Sequence, residues 1–213
     1  MRQNTTLHEI EVDGIRMSII DRTGSESVPY IAKELNRDCY GLKESRFYDG
    51  DIFIDIGANV GITSIYVAKK YPNIKIVAVE PSPRNYENLL KNLEINGVRN
   101  VTTFNYAISN NNGYVFMKEV ENNSGGDTVV NFETEHKIKC VPTHEFLEYI
   151  NLDAHGFKYI KIDTEGSELS ILSAMKEYCC DMIGLEIHRD KVDAIEVIRL
   201  ANTKTKKLKY ELI

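Results

Sequence analysis

The stretch Asp51-Ile-Phe-Ile-Asp55-Ile-Gly57-Ala-Asn59-Val-Gly61 is an apolar run that passes directly into a glycine-containing loop. Residues 52–56 have the length and composition of a buried strand, and we expect a helix after the loop. Gly57 and Gly61 allow the backbone to turn sharply and to approach a ligand at the N-terminus of that helix. The stretch predicts the first β–α unit of a parallel sheet with a ligand site in its loop; a tight turn without a ligand is the alternative.

The order of strand followed by helix recurs from residue 51 almost to residue 213. The clearest helix has Ser82 as N-cap, Pro83 at its first position and Gly97 beyond its end. This alternation predicts an α/β protein with a doubly wound, mostly parallel sheet. Strands are predicted at 52–56, 74–80, 101–106, 159–163, 182–187 and 208–213, and helices at about 61–70, 83–96, 144–150, from 166, and 191–201.

Two parts of the chain depart from this rhythm. Alternating segments in residues 9–20 predict a hairpin that turns at Asp13-Gly14, and a helix is expected around 29–35. We therefore expect residues 1–50 to form a β/α cap on one compact domain of residues 51–213. Residues 110–139 are polar and rich in turn formers, which predicts a short β insertion after strand 3 with a mobile loop at 122–127.

The composition excludes several classes of function. A chain of 213 residues with a net charge of −6 has no surplus of cations for a phosphate backbone, so no nucleic-acid partner is expected. The first residues lack the apolar core of a secretory signal, and no run approaches the length of a membrane span. We expect a cytoplasmic protein with reduced cysteines and no membrane partner; its oligomeric state stays open.

The spacing of the glycine loop distinguishes between nucleotide cofactors. A dinucleotide fingerprint needs glycine at positions 59 and 62, where this chain has Asn59 and Ile62. This difference disfavours a pyrophosphate and suits a nucleoside with an amino-acid tail, whose ammonium group Asp55 would bind directly or through water. Glu80 ends the next strand, where a carboxylate can accept hydrogen bonds from both ribose hydroxyls. NAD sites share that contact, and a solvated strand end is the alternative for Glu80.

Four motifs in this order resemble the FkbM family of S-adenosylmethionine (SAM)-dependent methyltransferases: 53–61, 79–83 with Asn92, 160–168 and 185–187. The resemblance implies a Rossmann-like class I methyltransferase fold, with SAM as the cofactor and a hydroxyl of a sugar, glycan or natural product as the acceptor. Such sheets usually have a seventh, antiparallel strand, so either that strand is missing here or one of the six predicted strands is assigned wrongly. The implied SAM-binding residues are Asp55, Gly57, Ala58, Asn59, Gly61, Glu80, Pro81 and Asp163, with Asn105 and Ala107 at the adenine.

The motif at 163–168 bears on the reaction class, because it lacks the Asn/Asp-Pro-Pro-Tyr turn typical of amine methylation. An alcohol must lose its proton when it attacks the methyl group, so a carboxylate or imidazole within hydrogen-bond reach is required. The candidates are Asp163, Glu165, Glu186 and His188, with Asp163 as the leading one. A surface position is the alternative for His188.

Asp163 and Glu186 are predicted to end adjacent strands, where two oxygens could also hold Mg²⁺. The sequence shows no third ligand, so no metal site is predicted. Two other functions remain open: an NAD-dependent oxidoreductase, against which Asn59 stands, and a SAM-binding regulatory module without catalysis.

Overall fold

The computed structural model describes residues 4–130, 132–150, 158–177 and 179–213. It consists of a hairpin with one helix, a central β–α series and a second, smaller sheet. The elements up to the small sheet are β1 (Thr5–Val12), β2 (Ile15–Arg22), α1 (Ser27–Arg37), β3 (Ile52–Ile56), α2 (Ile62–Lys70), β4 (Lys75–Val79), α3 (Pro83–Ile95) and β5 (Val101–Phe104). The remaining elements are β6 (Ala107–Ser109), β7 (Gly113–Lys118), β8 (Thr128–Val130), β9 (His136–Pro142), α4 (Thr143–Tyr149), β10 (Lys158–Ile162), α5 (Glu168–Ser173), β11 (Cys180–Ile187), α6 (Ala194–Ala201) and β12 (Thr205–Leu212).

The central sheet has six strands in the order β12-β11-β10-β3-β4-β5, and its neighbours pair in parallel. Alternate residues of β3 point to opposite faces: Phe53 joins the core under α2 and α3, whereas Ile52 and Ile54 join the core under α4, α5 and α6. Apolar burial on both faces is the physical reason for the continuous apolar strands. The predicted doubly wound, Rossmann-like architecture is confirmed. Within the described residues this sheet has no antiparallel strand.

The strand order reverses beside β3, whose neighbours are β4 on one side and β10 on the other. The chain returns from β5 through the small sheet before it forms β10. In open α/β sheets a crevice forms at such a switch point, outside the carboxyl ends of the strands. The ends of β3, β4, β10 and β11 are therefore where a ligand is expected.

The hairpin and α1 share the core that lies under α2 and α3. Val12, Met17 and Val28 are fully or almost fully buried within it. Asn92 of α3 binds the backbone of β2: its Oδ1 accepts from the Ile20 amide at 2.7 Å, and its Nδ2 donates to the Ile20 carbonyl at 2.9 Å. These contacts fix β2 of the hairpin against α3. The division of the chain at residue 50 stays a prediction.

The small sheet lies between β5 and β10 in the sequence and has the strand order β6-β9-β7-β8. It contains two strands, β6 and β8, in addition to those expected near 114–117 and 137–141. The turn Ser124–Gly126 precedes β8, and Ser124 is only 1% exposed. The insertion therefore brings a packed turn toward the carboxyl ends of the central strands.

Two further features concern the helices and the cysteines. Among the residues that the structure describes, no helix is long and apolar enough to cross a membrane. Cys39, Cys140, Cys179 and Cys180 are free thiols, as the sequence predicts.

Candidate functional site

A cavity of about 630 Å³ opens at the switch point, between the carboxyl ends of the central strands, α1 and the turn Ser124–Gly126. This volume is within the usual range for small-molecule sites, roughly 300–1,000 Å³. The cavity lies where the topology favours a ligand. The predicted site residues that line it are Gly57, Asn59, Glu80, Pro81, Ala107, Asp163, Glu165, Glu186 and His188.

The predicted contact between Asp55 and a cofactor is not supported by its position. Asp55 is 0% exposed and lies outside the lining of the cavity. Its Oδ2 accepts from the Ser64 hydroxyl at 2.7 Å, and its Oδ1 lies 3.1 Å from Nζ of Lys161. The carboxylate is therefore engaged beneath the glycine loop, so it can act on a ligand only through the groups above it.

Three other predicted cofactor residues, Ala58, Gly61 and Asn105, are also outside the cavity lining. Ala58 is buried, and Gly61 faces Leu89 of α3 so closely that an added Cβ would lie 2.4 Å from its side chain. Asn105 donates its side-chain amide to the Glu80 carbonyl at 2.8 Å. These residues shape the loops around the cavity and do not line it. Ala58 and Gly61 pack inside the protein, and the side chain of Asn105 binds backbone.

Gly57 brings the glycine loop against the end of β10. Its φ is +82°, and an added Cβ would lie 1.7 Å from the carbonyl oxygen of Asp163. Only glycine fits this position, since a side chain would collide with backbone. The amides of Gly57 and Ala58 both donate to the Val79 carbonyl at 3.0 Å. The loop therefore holds the ends of β3, β4 and β10 together at one rim of the cavity.

Asn59 occupies the position where a dinucleotide loop has glycine, and it adopts a left-handed backbone with φ of 51°. Asparagine tolerates this conformation better than most residues do. Its Nδ2 donates to the Ser124 carbonyl at 2.8 Å, a carbonyl that also accepts from Asn85 Nδ2 at 2.8 Å. Asn59 thus joins the glycine loop to the turn of the insertion.

Glu80 is a buried carboxylate whose two oxygens are fixed by backbone amides. Its Oε2 accepts from the Asn59 amide at 2.7 Å, and its Oε1 accepts from the Ser82 amide at 2.8 Å. Burial raises the pKa of Glu80 to about 7, against the lowering effect of these two hydrogen bonds. Each oxygen keeps a further lone pair for a ligand donor. The side chain therefore offers a preorganised acceptor pair on the β4 side of the cavity.

Lys161 lies inside the sheet between two carboxylates. Its Nζ is 3.1 Å from Asp55 Oδ1 and 3.2 Å from Asp163 Oδ2, and it donates to the Gly57 carbonyl at 3.1 Å. Burial would lower the pKa of Lys161, but the charges of Asp163 and Asp55 outweigh it and hold the pKa above its ordinary value. Lys161 therefore stays charged and fixes Asp163 at the rim of the glycine loop.

The β10 and β11 side of the cavity is acidic. The hydroxyl of Tyr40 lies 2.8 Å from Glu186 Oε2 and 3.2 Å from Asp163 Oδ2. Burial raises the pKa of Glu186 to about 8, and the charges of Asp163 and Glu34 add to the effect. Burial likewise raises the pKa of Glu34, a residue of α1, to about 7. These carboxylates repel one another and create a region that favours protons, donors or cations.

His188 is buried at 4% exposure, so the alternative of a surface histidine is wrong. Its Nδ1 lies 2.9 Å from Glu168 Oε1, whereas Nε2 lies 3.4 Å from Glu165 Oε1 and 3.7 Å from Glu186 Oε1. Burial would lower the pKa of His188, but Glu165 and Glu168 raise it to about 10. Lys191 forms an ion pair with Glu165. Glu165 therefore has two cationic partners, one of them the imidazolium.

Lys161, Tyr40 and Glu34 are among the residues of the site that the sequence did not predict. The sequence could have indicated Lys161, because a lysine inside the apolar run 159–163 is expected to be buried and to need an acidic partner. Tyr40 and Glu34 belong to no motif: the packing of residues 1–50 brings Glu34 to the cavity lining and places the buried Tyr40 against Asp163 and Glu186. The structure also brings His188 close to Asp163 and Glu186. One side-chain atom of each residue that could ligate a metal ion lies within 4.8 Å of such an atom of the other two.

The fold and the cavity define an α/β protein with a cavity of small-molecule size at the switch point of a doubly wound sheet. Residues 55–211 match the model of the methyltransferase FkbM domain, which covers more than half of the chain. The chain belongs to the FkbM methyltransferase family. The resemblance that the four sequence motifs carry is thereby confirmed.

Among similar proteins, Methyltransferase 1 of Beauveria bassiana (strain ARSEF 2860) is 22% identical over 177 residues, which cover 73% of this chain and 70% of that protein. Methyltransferase sdnD of Sordaria araneosa is 30% identical over 132 residues, or 61% of this chain and 49% of that protein. A precorrin-6y C5,15-methyltransferase of Geobacter metallireducens GS-15 aligns with 62% of this chain and 50% of its own at 21% identity, with a TM-score of 0.38. The chain spans about half the length of the last two.

Proposed function

We propose that the protein transfers the methyl group of SAM to a hydroxyl of a sugar, glycan or natural product. The observation that carries the proposal is one cavity with two different ends: the fixed acceptor pair of Glu80 on one side and the carboxylates Asp163 and Glu186 on the other. Membership of the FkbM family supports SAM as the cofactor. The acceptor is inferred from the chemistry of the acidic side.

The β4 side is where we place the nucleoside of SAM. The ribose hydroxyls would donate to the free lone pairs of Glu80, and the adenine would lie near Pro81 and Ala107, which both line the cavity. The methionine part would then pass Gly57, whose missing side chain leaves room for it. Asp55 would contribute by holding Lys161 under this loop and not by direct contact.

The acidic side is where the acceptor would lose its proton. The hydroxyl oxygen forms a bond to the methyl carbon while the carbon–sulfur bond breaks, and its electrons return to sulfur to give S-adenosylhomocysteine. The hydroxyl proton passes to a carboxylate, and Asp163 is our leading candidate because Lys161 and Tyr40 fix its position. Alignment of oxygen, methyl and sulfur would supply much of the remaining rate enhancement. Residues 1–50, which we propose as a cap, would bring Glu34 to the acceptor, while the buried Tyr40 holds Asp163 and Glu186 in place.

The test is methyl transfer from radiolabelled SAM to a panel of monosaccharides, oligosaccharides and hydroxylated natural products. We expect label in at least one hydroxyl compound, and Asp163→Asn should bind SAM as the wild type does but turn over about 100-fold more slowly, since proton transfer contributes roughly 10²–10⁴-fold. Asp49→Asn is the matched control, because Asp49 is exposed and lies outside the cavity lining. Label only in amines, or wild-type turnover by Asp163→Asn, would contradict the proposal.

A further inference from the structure

We propose that Asp163, Glu186 and His188 bind a divalent transition-metal ion at the acidic side of the cavity. One ligand atom from each of the three residues lies within 4.8 Å of the other two. Two ligands of one ion, with bonds of about 2.1 Å, lie at most about 4.2 Å apart. Small side-chain rotations would therefore close the three atoms around an ion. The existence of this site is independent of the proposed function; its role in catalysis rests on the proposed hydroxyl transfer.

The histidine has the surroundings of a metal ligand. Its Nδ1 lies 2.9 Å from Glu168 Oε1, and Glu168 is 0% exposed. Metal-binding histidines usually donate their second ring nitrogen to such a carboxylate, which fixes the ring and its tautomer. Nε2 lies 3.4 Å from Glu165 Oε1 and 3.7 Å from Glu186 Oε1, so an ion would displace its proton and replace the contact with Glu165. Glu168 thus orients His188 toward the position of the ion.

A second, independent observation is the carboxylate of Glu34. It comes from α1, lines the same cavity and is 1% exposed, and its Oε1 has no hydrogen-bond partner among the described residues. A buried carboxylate without a partner is costly. The nearby cations have other partners: Lys161 lies between Asp55 and Asp163, and Lys191 and the His188 imidazolium pair with Glu165. A divalent ion that displaces the proton of His188 would add one net positive charge beside Glu186 and would compensate Glu34 as well.

The ligand set indicates which ions fit. Mg²⁺ strongly prefers oxygen ligands, whereas an imidazole nitrogen with two carboxylates suits Mn²⁺, Fe²⁺ or Zn²⁺. Three protein ligands leave coordination positions for water and for the acceptor hydroxyl. An ion bound there would make that hydroxyl more acidic. The bonds formed and broken in the transfer stay the same, and the proton would pass to a carboxylate oxygen that does not ligate the ion.

The first test titrates the chelator-treated full chain with Mn²⁺ and follows the spin-resonance signal of free Mn²⁺. We expect one ion per chain, and at least tenfold weaker binding in Glu186→Gln and in His188→Gln. His136→Gln is the matched control, because His136 also has a glutamate nearby, with its Nε2 3.7 Å from Glu119 Oε2, but lies in β9 of the small sheet. Control binding should equal that of the wild type. Variants at 186 and 188 that bind Mn²⁺ like the wild type would overturn the proposal.

The second test needs no variant, so a folding defect cannot affect it. Electron spin echo modulation of Mn²⁺ bound to the wild-type chain should show a directly coordinated imidazole nitrogen. Its absence, or a wild type that binds no Mn²⁺, would overturn the proposal. Calorimetry with SAM on the same sample distinguishes the two claims, since a chain that binds SAM but no metal contradicts only the metal site.

Discussion

Glu80 shows how a single buried carboxylate can be both costly and useful. Its burial disfavours the charged form, yet two backbone amides hold its oxygens toward the cavity. A neutral carboxyl must use its proton as a donor and is a weaker acceptor for two hydroxyls. The pKa of about 7 places this change of charge near neutral pH. We therefore expect SAM binding to depend on the protonation of this residue.

The affinity for SAM should rise about tenfold between pH 6 and pH 8, because Glu80 passes from mostly protonated to mostly ionised across its pKa of about 7. Glu80→Gln cannot ionise, so it should bind SAM more weakly at pH 8 and lose this part of the pH response. Calorimetry at pH 6, 7 and 8 measures both effects. Glu87→Gln, an exposed change on α3, should titrate like the wild type. A pH response that persists in Glu80→Gln would rule out Glu80 as its source.

Lys161 contributes to stability through the charge that it neutralises. Lys161→Met keeps a similar length but leaves Asp55, which is 0% exposed, without its cation. Breaking a buried ion pair from one side costs about 3–5 kcal/mol. Urea unfolding at pH 7 should show a loss of this size. Lys206→Met removes a lysine from an exposed pair with Asp181 and should have a much smaller effect. Equal losses in the two variants would show that Lys161 and Asp55 are not coupled as described.

The sequence predicts residues of the site only where a motif marks them. Glu80, Asp163 and Glu186 end apolar strands, so their place at the carboxyl edge follows from the β–α order. Asp55 also belongs to a motif, but the orientation of its side chain depends on its contacts with Lys161 and Ser64. No local sequence pattern specifies these contacts. Glu34 reaches the cavity through long-range packing of α1, and Tyr40, which follows α1, contacts Asp163 and Glu186 from the buried side, so the sequence pattern indicates neither.

At the scale of elements, the six strands of the central sheet follow the prediction within a few residues, and the inner strands β3, β4, β10 and β11 do so because they are buried apolar runs. The predicted third strand at 101–106 ends earlier, at Phe104, and Ala107–Ser109 forms β6 in the small sheet. Strands of three residues such as β6 and β8 lie below the length at which periodicity is informative. Strand β6 forms because it pairs with β9, and strand β8 because it pairs with β7. Such long-range pairing cannot be predicted from the residues of these short segments alone.

The turn Ser124–Gly126 is the element that joins the insertion to the glycine loop. Asn59→Gly keeps the left-handed backbone at φ of 51° but removes the hydrogen bond to the Ser124 carbonyl. We expect faster amide hydrogen exchange in residues 123–127 and a larger effect when Asn85→Ala is added, since Asn85 binds the same carbonyl. Mass spectrometry of deuterium uptake measures the exchange rate of these residues in both variants.

The control for this turn is Asn202→Ala. Asn202 also donates its side-chain amide to a backbone carbonyl, that of Ile198 at 2.9 Å, but at the end of α6. This variant should leave exchange in residues 123–127 unchanged. Wild-type exchange there in the variant with both Asn59 and Asn85 replaced would mean that other contacts hold the turn.

At the scale of the whole molecule, the switch point between β3 and its two neighbours separates two kinds of chemistry. Glu80 after β4 presents hydrogen-bond acceptors, whereas Asp163 after β10 and Glu186 in β11 form an acidic surface. Helix α1 and the turn Ser124–Gly126, which are far apart in the sequence, both line the cavity at this edge. A cofactor and an acceptor can therefore meet in one cavity, with the glycine loop between them.

The most direct test of this account is calorimetry of the full chain with SAM and, separately, with NAD. Glu80 could serve the ribose of either cofactor, but Asn59 occupies the position of the second dinucleotide glycine, and its side chain holds the Ser124 turn. The account predicts that SAM binds at one site per chain and that NAD does not bind. Binding of NAD without binding of SAM would contradict it.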